Sequence, residues 1–314
     1  MRPSAFYAEC HHVHRGQQSE EAGADEVRSV RLVVNADENG ITALVFLRKR
    51  GFSQRAVADL KKSGGLTRGG EILRTIDRVY AGEEIFAAIA EDGEPLEADF
   101  SVNARVVAEN EDYAVFDKAA GVPVHPSLHH RTGTLGNYFA ALYPDRAFRP
   151  VYRLDNNTSG LCLAAKNAAA ALTLAKTAEK RYYAAVSGEI TRGGEINLPI
   201  ARAENSIILR EVRSDGAQAV TLYEPILVKN GRTLLEITLR TGRTHQIRVH
   251  FAHIGFPLLG DELYGGDCGE ISRHALHCGK LRFTEPFSWK TAEFKSPLPA
   301  DIAALFGIDG KDLY

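Results

Sequence analysis

The chain has 314 residues, 44% of them hydrophobic and 25% charged, which excludes disordered, collagen-like and disulfide-scaffold classes. At about 150 residues per domain this length predicts two domains. The chain holds 38 basic and 40 acidic residues, so its net charge is close to zero, and a surface that binds a polyanion would require the basic residues to be clustered. Four cysteines without a C-x-x-C pair, and no apolar run near the roughly 18 residues of a membrane span, predict a reduced cytoplasmic protein that contacts no membrane.

Residues 1–38 are predicted to be an N-terminal extension, because they carry mixed charge and little apolar periodicity. The run Glu9-Cys-His-His-Val-His14 is superficially similar to a metal site. Structural zinc takes about four ligands, and no second Cys/His cluster follows this run, so we interpret it as part of a solvated tail without metal. Residues 31–35 have the composition of a short strand that enters the first domain.

The segment from residue 39 to 95 is predicted to be a separate, basic domain. Between residues 48 and 78 it holds nine basic and three acidic side chains. The apolar residues at 44–47 predict a short helix, and Ser53 is a suitable N-cap for a second helix that the glycine pair at 64–65 ends. Short strands are expected after it.

This basic segment resembles the S4-like RNA-binding domain. The match rests on Phe-Leu-Arg-Lys-Arg-Gly-Phe-Ser at 46–53 and Leu-Lys-Lys-Ser-Gly-Gly at 60–65, whereas Thr67-Arg-Gly-Gly70 stands where that family usually has a hydrophobic-Asn-Gly turn. The resemblance implies that the basic side chains bind RNA; the alternative is an ordinary solvated face. The residues predicted to bind RNA here are Arg48, Lys49, Arg50, Arg55, Lys61 and Lys62.

An acidic, turn-rich stretch at residues 92–99 is the predicted linker to a second domain, residues 105–306. Short β-type runs alternate there with segments of helical composition, such as 168–177 and 243–254, without the regular repeat of a doubly wound fold. The predicted class is therefore α+β. No G-x-G-x-x-G, P-loop or G-x-S-x-G sequence occurs, which counts against dinucleotide, nucleoside-triphosphate and α/β-hydrolase chemistry.

The first candidate for catalysis is Asp155, in the segment Val-Tyr-Arg-Leu-Asp-Asn-Asn-Thr-Ser-Gly at 151–160. This carboxylate follows a short apolar run and precedes another strand, so it should lie on a loop braced by a sheet. Taken alone, the polar run is typical of an ordinary turn. A further strand, at 180–188, presents Tyr182 and Tyr183 to opposite faces, so that one of them can face a cleft.

A helix is predicted between Thr241, which suits an N-cap, and Gly255, which suits the position after the C-cap. His245 and Arg248 would share one of its sides, opposite a buried apolar stripe. No acidic residue occurs from 237 to 260, although three arginines do. The helix and its entry therefore carry positive charge that suits phosphates or a catalytic carboxylate.

Several ordered motifs resemble those of the RluA-type pseudouridine synthases. They are Asp-Lys-Ala-Ala-Gly-Val-Pro-Val-His-Pro at 117–126, Arg-Leu-Asp-Asn-Asn-Thr-Ser-Gly at 153–160, Lys-Arg-Tyr at 180–182, Gly-Arg-Thr-His-Gln-Ile-Arg-Val-His at 242–250 and Gly-Asp-Glu-Leu-Tyr-Gly at 260–265. The resemblance covers residues 105 to about 300. Tyr152 stands where the family usually has His, and Asn157 where an acid is common.

The resemblance implies an α+β fold with a mixed, largely antiparallel sheet and a central cleft, and isomerisation of uridine to pseudouridine in ribosomal or transfer RNA without an external cofactor. By motif position, Asp155 would be the catalytic carboxylate, Arg248 its ion-pair partner and Tyr182 the ring on which the target base stacks. We expect a monomer whose partner is RNA. The residues expected to contact RNA in this domain are Arg153, which would fill the gap left by the flipped base, Arg243 and His245.

Two other interpretations stay open at this stage. A non-catalytic RNA-binding or ribosome-assembly protein on the same fold would account for the departures at Tyr152 and Asn157, although the presence of Asp155, Tyr182 and Arg248 argues against it. A metal-dependent hydrolase would use the histidines, yet those at 125, 129, 130, 245, 250 and 253 form no clear ligand set. Added EDTA would separate a metal-dependent enzyme from a pseudouridine synthase.

Overall fold

The computed structural model describes residues 28–50, 52, 54–89, 96–127, 131–286, 288 and 290–311. The histidine-bearing run at 9–14 and the histidines at 129 and 130 lie outside the described residues. The described chain forms a small sheet and a large sheet, each with its own hydrophobic core.

The N-terminal module, residues 28–89, combines an antiparallel sheet with helices α1 (Ala43–Lys49) and α2 (Gln54–Ser63), which follow the predicted positions. Its strands are β1 (Arg28–Val33), β2 (Leu66–Arg68), β3 (Glu71–Ile72) and β4 (Glu84–Ile89), in the spatial order β1, β4, β2, β3. Phe46, Leu47 and Leu60 pack in its core. Strand β1 lies in the segment predicted as an extension, so the small sheet begins before residue 39.

The large sheet has ten strands and is mostly antiparallel, which confirms the predicted α+β class. The strands after the module are β5 (Ala104–Glu109), β6 (Tyr113–Lys118), β7 (Arg149–Pro150), β8 (Ser159–Ala165), β9 (Glu179–Ser187), β10 (Gly194–Asn197), β11 (Ile200–Arg202), β12 (Arg210–Val212), β13 (Val220–Lys229), β14 (Arg232–Leu239), β15 (Leu276–Thr284) and β16 (Thr291–Lys295). Strands β11 and β12 form a separate hairpin. The others run in the order β10, β13, β14, β9, β15, β8, β6, β5, with β16 beside β15 and β7 beside β8.

Helices pack on both faces of the large sheet. They are α3 (Leu135–Leu142), α4 (Ala168–Thr177), α5 (Gln246–His253) and α6 (Ala300–Ala304). The first three contribute to the core that contains Tyr182, and α6 contributes to the core that contains Tyr183 on the opposite face. No helix in the described part of the chain is both long and apolar enough to cross a membrane.

Strands β8 and β15 run parallel, whereas every other described strand pair is antiparallel. The register joins His277 to Ser159 and Cys278 to Gly160. At Gly160 the φ angle is 111°, and a Cβ atom there would lie 2.3 Å from the Cys278 carbonyl oxygen. Only glycine therefore allows the two backbones to approach at the end of the loop that carries Asp155.

Helix α5 begins later than predicted, and Thr241 is not its N-cap. The N-cap is His245, which adopts a left-handed conformation with a φ of 56°. Thr241 instead donates its hydroxyl hydrogen to Gln246 Oε1 (2.9 Å) and accepts from the Val220 amide (2.8 Å). Contacts with β13 thus override the local capping pattern, while Gly255 follows the C-cap with a φ of 83°, as predicted.

The module contacts the large domain through helix α4. Ala169 belongs to the module's core cluster and Leu172 packs against it. Lys176 Nζ donates to the Lys49 carbonyl oxygen at 3.1 Å. The basic helices are thereby attached to the domain that carries Asp155.

Candidate active site

The predicted catalytic and RNA-binding residues of the second domain meet in one cleft of about 770 Å³. They lie on the loop before β8, on strand β9 and at the entry of α5. Because β15 pairs with both β8 and β9, segments far apart in sequence reach the same cleft. Its lining includes Arg153, Asp155, Tyr182, Arg243, His245 and Arg248.

Asp155 and Arg248 form the ion pair that the resemblance implies, with Arg248 Nη1 at 3.3 Å from Asp155 Oδ2. Arg248 has a closer partner in Asp261, because its Nε and Nη2 each lie 2.7 Å from one oxygen of that carboxylate. The Asp261 side chain is 1% exposed, whereas that of Asp155 is 26% exposed. Arg248 is therefore clamped by a buried carboxylate, and Asp155 keeps an open side toward the cleft.

Arg248 stays charged in this position. Burial lowers the pKa of Arg248, but hydrogen bonds from its guanidinium to Asp261 and the charges of Asp261 and Asp155 outweigh burial, so the pKa is raised. A permanent cation at this distance stabilises the ionised form of the Asp155 carboxylate.

His245 lies beside the ion pair, with its Nε2 at 3.9 Å from Asp155 Oδ2. Its Nδ1 lies 2.8 Å from the Tyr264 hydroxyl, and that hydroxyl oxygen accepts from the Arg210 amide at 3.1 Å. Burial foremost, with the charges of Arg248 and Arg210, lowers the pKa of His245 against the opposing charge of Asp155. The imidazole is thus neutral at pH 7.

Buried polar residues support the loop that carries Asp155. Lys118, which is 1% exposed, donates from Nζ to the Asn156 carbonyl oxygen at 3.0 Å. The Thr158 hydroxyl lies 2.8 Å from His274 Nε2. Burial foremost lowers the pKa of His274 to about 2, so this imidazole is neutral. The loop that carries Asp155 is therefore anchored by groups that do not line the open side of Asp155.

A second buried histidine holds the start of β8. His277 Nε2 donates to the Ser296 carbonyl oxygen at 3.1 Å, so its Nδ1 accepts from the Ser159 hydroxyl at 3.0 Å. Burial foremost lowers the pKa of His277 to about 4. The neutral imidazole thus links the strand that follows Asp155 to the C-terminal part of the sheet.

Strand β9 places tyrosines on both faces of the sheet. Tyr182 is 6% exposed and lines the cleft, whereas Tyr183 lies in the core of the opposite face. Burial foremost raises the pKa of Tyr182 well above its usual value, so the ring is neutral. Lys180 also lines the cleft, and its Nζ lies 4.6 Å from the centre of the Tyr152 ring.

The basic side chains predicted to bind RNA in the module have different surroundings. Arg48, Lys49, Lys61 and Lys62 are exposed, and the Arg55 side chain lies outside the description. Arg50 differs from them, because its Nε and Nη2 bond both carboxylate oxygens of Glu38 (2.9 and 2.6 Å), and its contact with RNA stays a prediction. The Arg50 side chain is only 12% exposed, because the buried Glu38 needs a charged partner within the module.

Three residues of this site were not assigned a role from the sequence: Lys118, Asp261 and Tyr264. Each stands in a motif that carried the resemblance, but a motif gives no geometry. Asp261 has one further signal, since it is the first acidic residue after the acid-free stretch 237–260. A cation-rich segment that folds into a buried cleft needs a counter-charge, and the nearest acid along the chain supplies it.

Comparison with known proteins places this arrangement in a family. The family model described as RNA pseudouridylate synthase matches residues 112–253. A Pseudomonas aeruginosa protein named ribosomal large subunit pseudouridine synthase D is 35% identical over 285 residues, which cover 83% of this chain and 88% of that protein. This chain belongs to the RNA pseudouridine synthase family.

Other members agree with this assignment. The RNA pseudouridine synthase YjbO of Bacillus subtilis is 34% identical to this synthase over 84% of this chain and 98% of that protein. The solved structure of human RNA pseudouridylate synthase domain containing 1 superposes with a TM-score of 0.52 at 25% identity, over 64% of this chain and 86% of that chain. The predicted family and reaction class are confirmed, and the enzyme is an RNA pseudouridine synthase.

The two departures from the family motif fit into the synthase without displacing Asp155. The Tyr152 hydroxyl donates to the Leu161 carbonyl oxygen at 2.9 Å. Asn157 is exposed, and its carbonyl oxygen accepts from Arg273 Nη1 at 3.2 Å. Neither residue therefore supports the interpretation as a non-catalytic protein.

Proposed function

We propose that this enzyme forms pseudouridine in ribosomal RNA of the large subunit, with Asp155 as the catalytic carboxylate. Relatives from Pseudomonas aeruginosa and Xanthomonas campestris carry a large-subunit name and align with more than 80% of this chain. The observation that carries the role of Asp155 is its geometry. Its carboxylate is open to the cleft, lies 3.3 Å from the fixed Arg248 cation and shares the cleft with the Tyr182 ring.

The cleft is built to receive a single base. A uracil stacked in RNA cannot reach Asp155, so it must be flipped out, which costs a few kcal/mol. Stacking of the flipped base on Tyr182 recovers about 1–3 kcal/mol. Arg153 is exposed at the edge of the cleft and is positioned to fill the gap that the base leaves, while the exposed Arg243 meets the backbone phosphates.

The Asp155 carboxylate serves either as nucleophile at C1′ of the ribose or as the base that takes the proton from C2′. In both routes the N1–C1′ bond breaks, the uracil turns, C5 bonds to C1′, and C5 then loses its hydrogen. Both routes require the ionised carboxylate, which Arg248 stabilises. Because Asp261 fixes Arg248 through two hydrogen bonds, the cation keeps its position while the base turns.

The N-terminal module provides a second RNA contact in this proposal. Its exposed basic residues lie on two short helices that are attached to the catalytic domain through α4. Phosphate contacts of this kind raise affinity without reading sequence. The module therefore holds structured RNA while the cleft captures one uridine.

The proposal is tested with large-subunit ribosomal RNA labelled with tritium at C5 of uridine, because closure of the C5–C1′ bond releases that tritium. Purified enzyme should release it, and Asp155→Asn should release none while its Tm and RNA affinity stay close to wild type, since the amide keeps the shape of the loop but lacks the charge. Asp145→Asn is the matched control, because Asp145 is exposed and does not line the cleft. Product from Asp155→Asn would contradict the role of Asp155.

A further inference from the structure

Lys180 is a cation inside the cleft that the reaction scheme above does not use. Its Nζ lies over the Tyr152 ring, 4.6 Å from the centroid. Among the described residues no carboxylate forms an ion pair with it. Lys180 is half-buried and lines the cleft, and burial lowers its pKa. Its hydrogen-bond donors therefore lie where a ligand in the cleft can meet them.

The position of Lys180 on β9 relates it to the target base. Lys180 and Tyr182 are two residues apart on one strand, so their side chains share a face and lie roughly 7 Å apart along it. Both line the cleft together with Ala178. A base that stacks on Tyr182 therefore presents one of its edges to Lys180.

The edge that Lys180 meets follows from the position of Asp155. Tyr182 pairs with Cys278 on β15, and Cys278 pairs with Gly160 at the start of β8, whereas Lys180 pairs with Leu281, further along β15 in the direction in which β8 runs away from the loop of Asp155. Lys180 therefore lies on the side of Tyr182 that is remote from Asp155. The ribose C1′ must lie at Asp155, and N1 of the uracil lies with it. The ring atom opposite N1 is C4, whose carbonyl oxygen O4 points away from the ribose.

We infer that Lys180 binds O4 of the flipped uracil and that Tyr152 positions the ammonium group for this contact. An ammonium group has three hydrogen-bond donors and no acceptor. It therefore donates to a carbonyl oxygen at C4 and disfavours the amino group that cytosine carries there. The exposed Arg243 at the edge of the cleft is the cation that the proposed function assigns to the phosphates. The inference deepens the proposed function and rests on it.

This contact also acts on the bond that breaks. When the N1–C1′ bond opens, its electron pair leaves with the uracil, and the negative charge is shared among N1, O2 and O4. An ammonium group already placed at O4 stabilises the charge as it develops, as donors do in other sites where an oxyanion forms. Lys180 should therefore contribute to turnover as well as to the choice of base.

The test uses a synthetic RNA hairpin that carries either uridine or 4-thiouridine at the position that the wild-type enzyme modifies. Sulfur accepts hydrogen bonds poorly, so replacement of O4 should slow the wild-type single-turnover rate by about tenfold, the value of one lost hydrogen bond to a charged group. Lys180→Met should be slowed by about 100-fold on uridine, with its Kd for the hairpin within threefold of wild type. Its rate should be the same on 4-thiouridine as on uridine.

Tyr152 is tested in the same assay. Tyr152→Leu removes the ring under the ammonium group and should reduce the sulfur effect, while Tyr152→Phe keeps the ring and should retain it. A purely structural role for Tyr152 would lower both rates by one factor and leave the sulfur effect unchanged.

The outcomes distinguish a failure of the inference on Lys180 from a failure of the proposed function. A wild-type enzyme that reacts equally fast with both hairpins would overturn the inference without reference to any variant, and so would an equal sulfur effect in wild type and Lys180→Met. Absence of product from wild type with uridine, in the hairpin and in intact ribosomal RNA, would contradict the proposed function, and the assignment of Lys180 would be rejected with it.

Discussion

At the scale of single residues, the site depends on a carboxylate that does not face the substrate. Asp261 takes two of the hydrogen bonds of Arg248 and leaves one nitrogen for Asp155. This division prevents Arg248 from binding Asp155 through two nitrogens, which would occupy both oxygens of the carboxylate that we propose to be catalytic. The buried Asp261 thus sets how much of Asp155 remains free for chemistry.

We expect Asp261→Asn to lower both the turnover and the stability of the enzyme. The amide cannot neutralise Arg248, so the guanidinium moves toward Asp155, and the single-turnover rate should fall at least about tenfold. A buried cation that loses a partner also destabilises the fold, here by about 2 kcal/mol, because Asp155 still compensates in part. The measurements are tritium release at saturating RNA and urea unfolding.

Glu270→Gln is the control for Asp261→Asn. Glu270 forms an equally close, two-pronged pair with Arg232 but is 60% exposed and lies outside the cleft. Exposed pairs contribute little to stability, so rate and unfolding midpoint should match wild type. If Asp261→Asn behaved like Glu270→Gln, Asp261 would have no part in positioning Arg248.

At the scale of secondary-structure elements, helix α5 is fixed by the side chain of its first residue. Gln246, which is 2% exposed, accepts from the Thr241 hydroxyl and from the Arg243 amide, at 2.9 and 3.0 Å. It donates to the Val220 carbonyl oxygen at 3.0 Å. One amide therefore joins the entry loop, the helix and strand β13, and it sets the positions of the two cleft residues on either side of it.

Gln246→Ala should destabilise the enzyme by about 3 kcal/mol, because several buried polar groups lose their partner. The rate should fall as well, since His245 and Arg248 flank the residue. Gln218→Ala serves as the control, because Gln218 is exposed and contributes only its backbone carbonyl, which accepts from Arg243. Thermal unfolding and tritium release measure the two effects; an unchanged Tm for Gln246→Ala would contradict this account of α5.

The sequence predicted which helices and strands exist better than it predicted the first residue of a helix or the partner of a side chain. Hydrophobic periodicity gave α1, α2 and α4 and the strands around the cleft, because those patterns follow from local geometry. The start of α5 was wrong because Thr241 bonds to β13, a contact that no local pattern encodes. The ion pair of Arg50 was missed for the same reason, since its partner Glu38 lies on a separate turn.

The cleft residues were predicted through ordered motifs rather than through physical patterns. Asp155 alone reads as an ordinary turn, and it gains meaning only with Tyr182 and Arg248. The motifs could not give distances. Only the structure therefore revealed that Arg248 makes two of its hydrogen bonds to Asp261. The contact between Lys180 and Tyr152 likewise depends on two strands and a loop meeting at one point.

At the scale of the whole molecule, acid should destabilise the fold before it affects the charge of exposed carboxylates. The pKa of His277 is lowered from 6.5 to about 4 in the folded state, with burial as the main cause. Between pH 6.5 and 4 the unfolded chain therefore binds one more proton at this histidine than the folded chain does. The free energy of unfolding thus decreases as pH falls from about 6.5 toward 4, by up to roughly 1.4 kcal/mol per pH unit. Urea unfolding at a series of pH values measures this slope.

His277→Gln should flatten this dependence by close to one proton, because the amide does not titrate while it can still bond Ser159 or Ser296. Buried His274 would account for the dependence that remains. Identical slopes in wild type and His277→Gln would show that His277 is not the source of the acid sensitivity.

The module's charge should appear in the salt dependence of RNA binding. Lys49, Lys61 and Lys62 are exposed, and their joint replacement by Gln should lower the slope of log K against log salt by roughly 0.7 to 0.9 for each phosphate contact that is lost. The single-turnover rate at saturating RNA should remain at the wild-type value, because none of the three lines the cleft.

The control removes equal charge elsewhere, by replacing Arg192, Lys290 and Lys311, which are exposed and lie outside the module. Its salt slope should equal that of wild type. If both triple variants lowered the slope equally, the module would be one charged surface among several and would hold no special position toward RNA.

The parallel pairing of β8 with β15 affects the order in which the nascent chain folds during translation. Ser159 bonds to a histidine 118 residues further along the chain, and Thr158 to one 116 residues further. A polypeptide leaves the ribosome from its N-terminus, so the module at residues 28–89 is complete long before the strand that braces Asp155 has been translated. If the module binds RNA as proposed, the nascent chain passes through a stage at which it can bind RNA but cannot modify it. The cleft is complete only after β15, which ends at Thr284, has emerged.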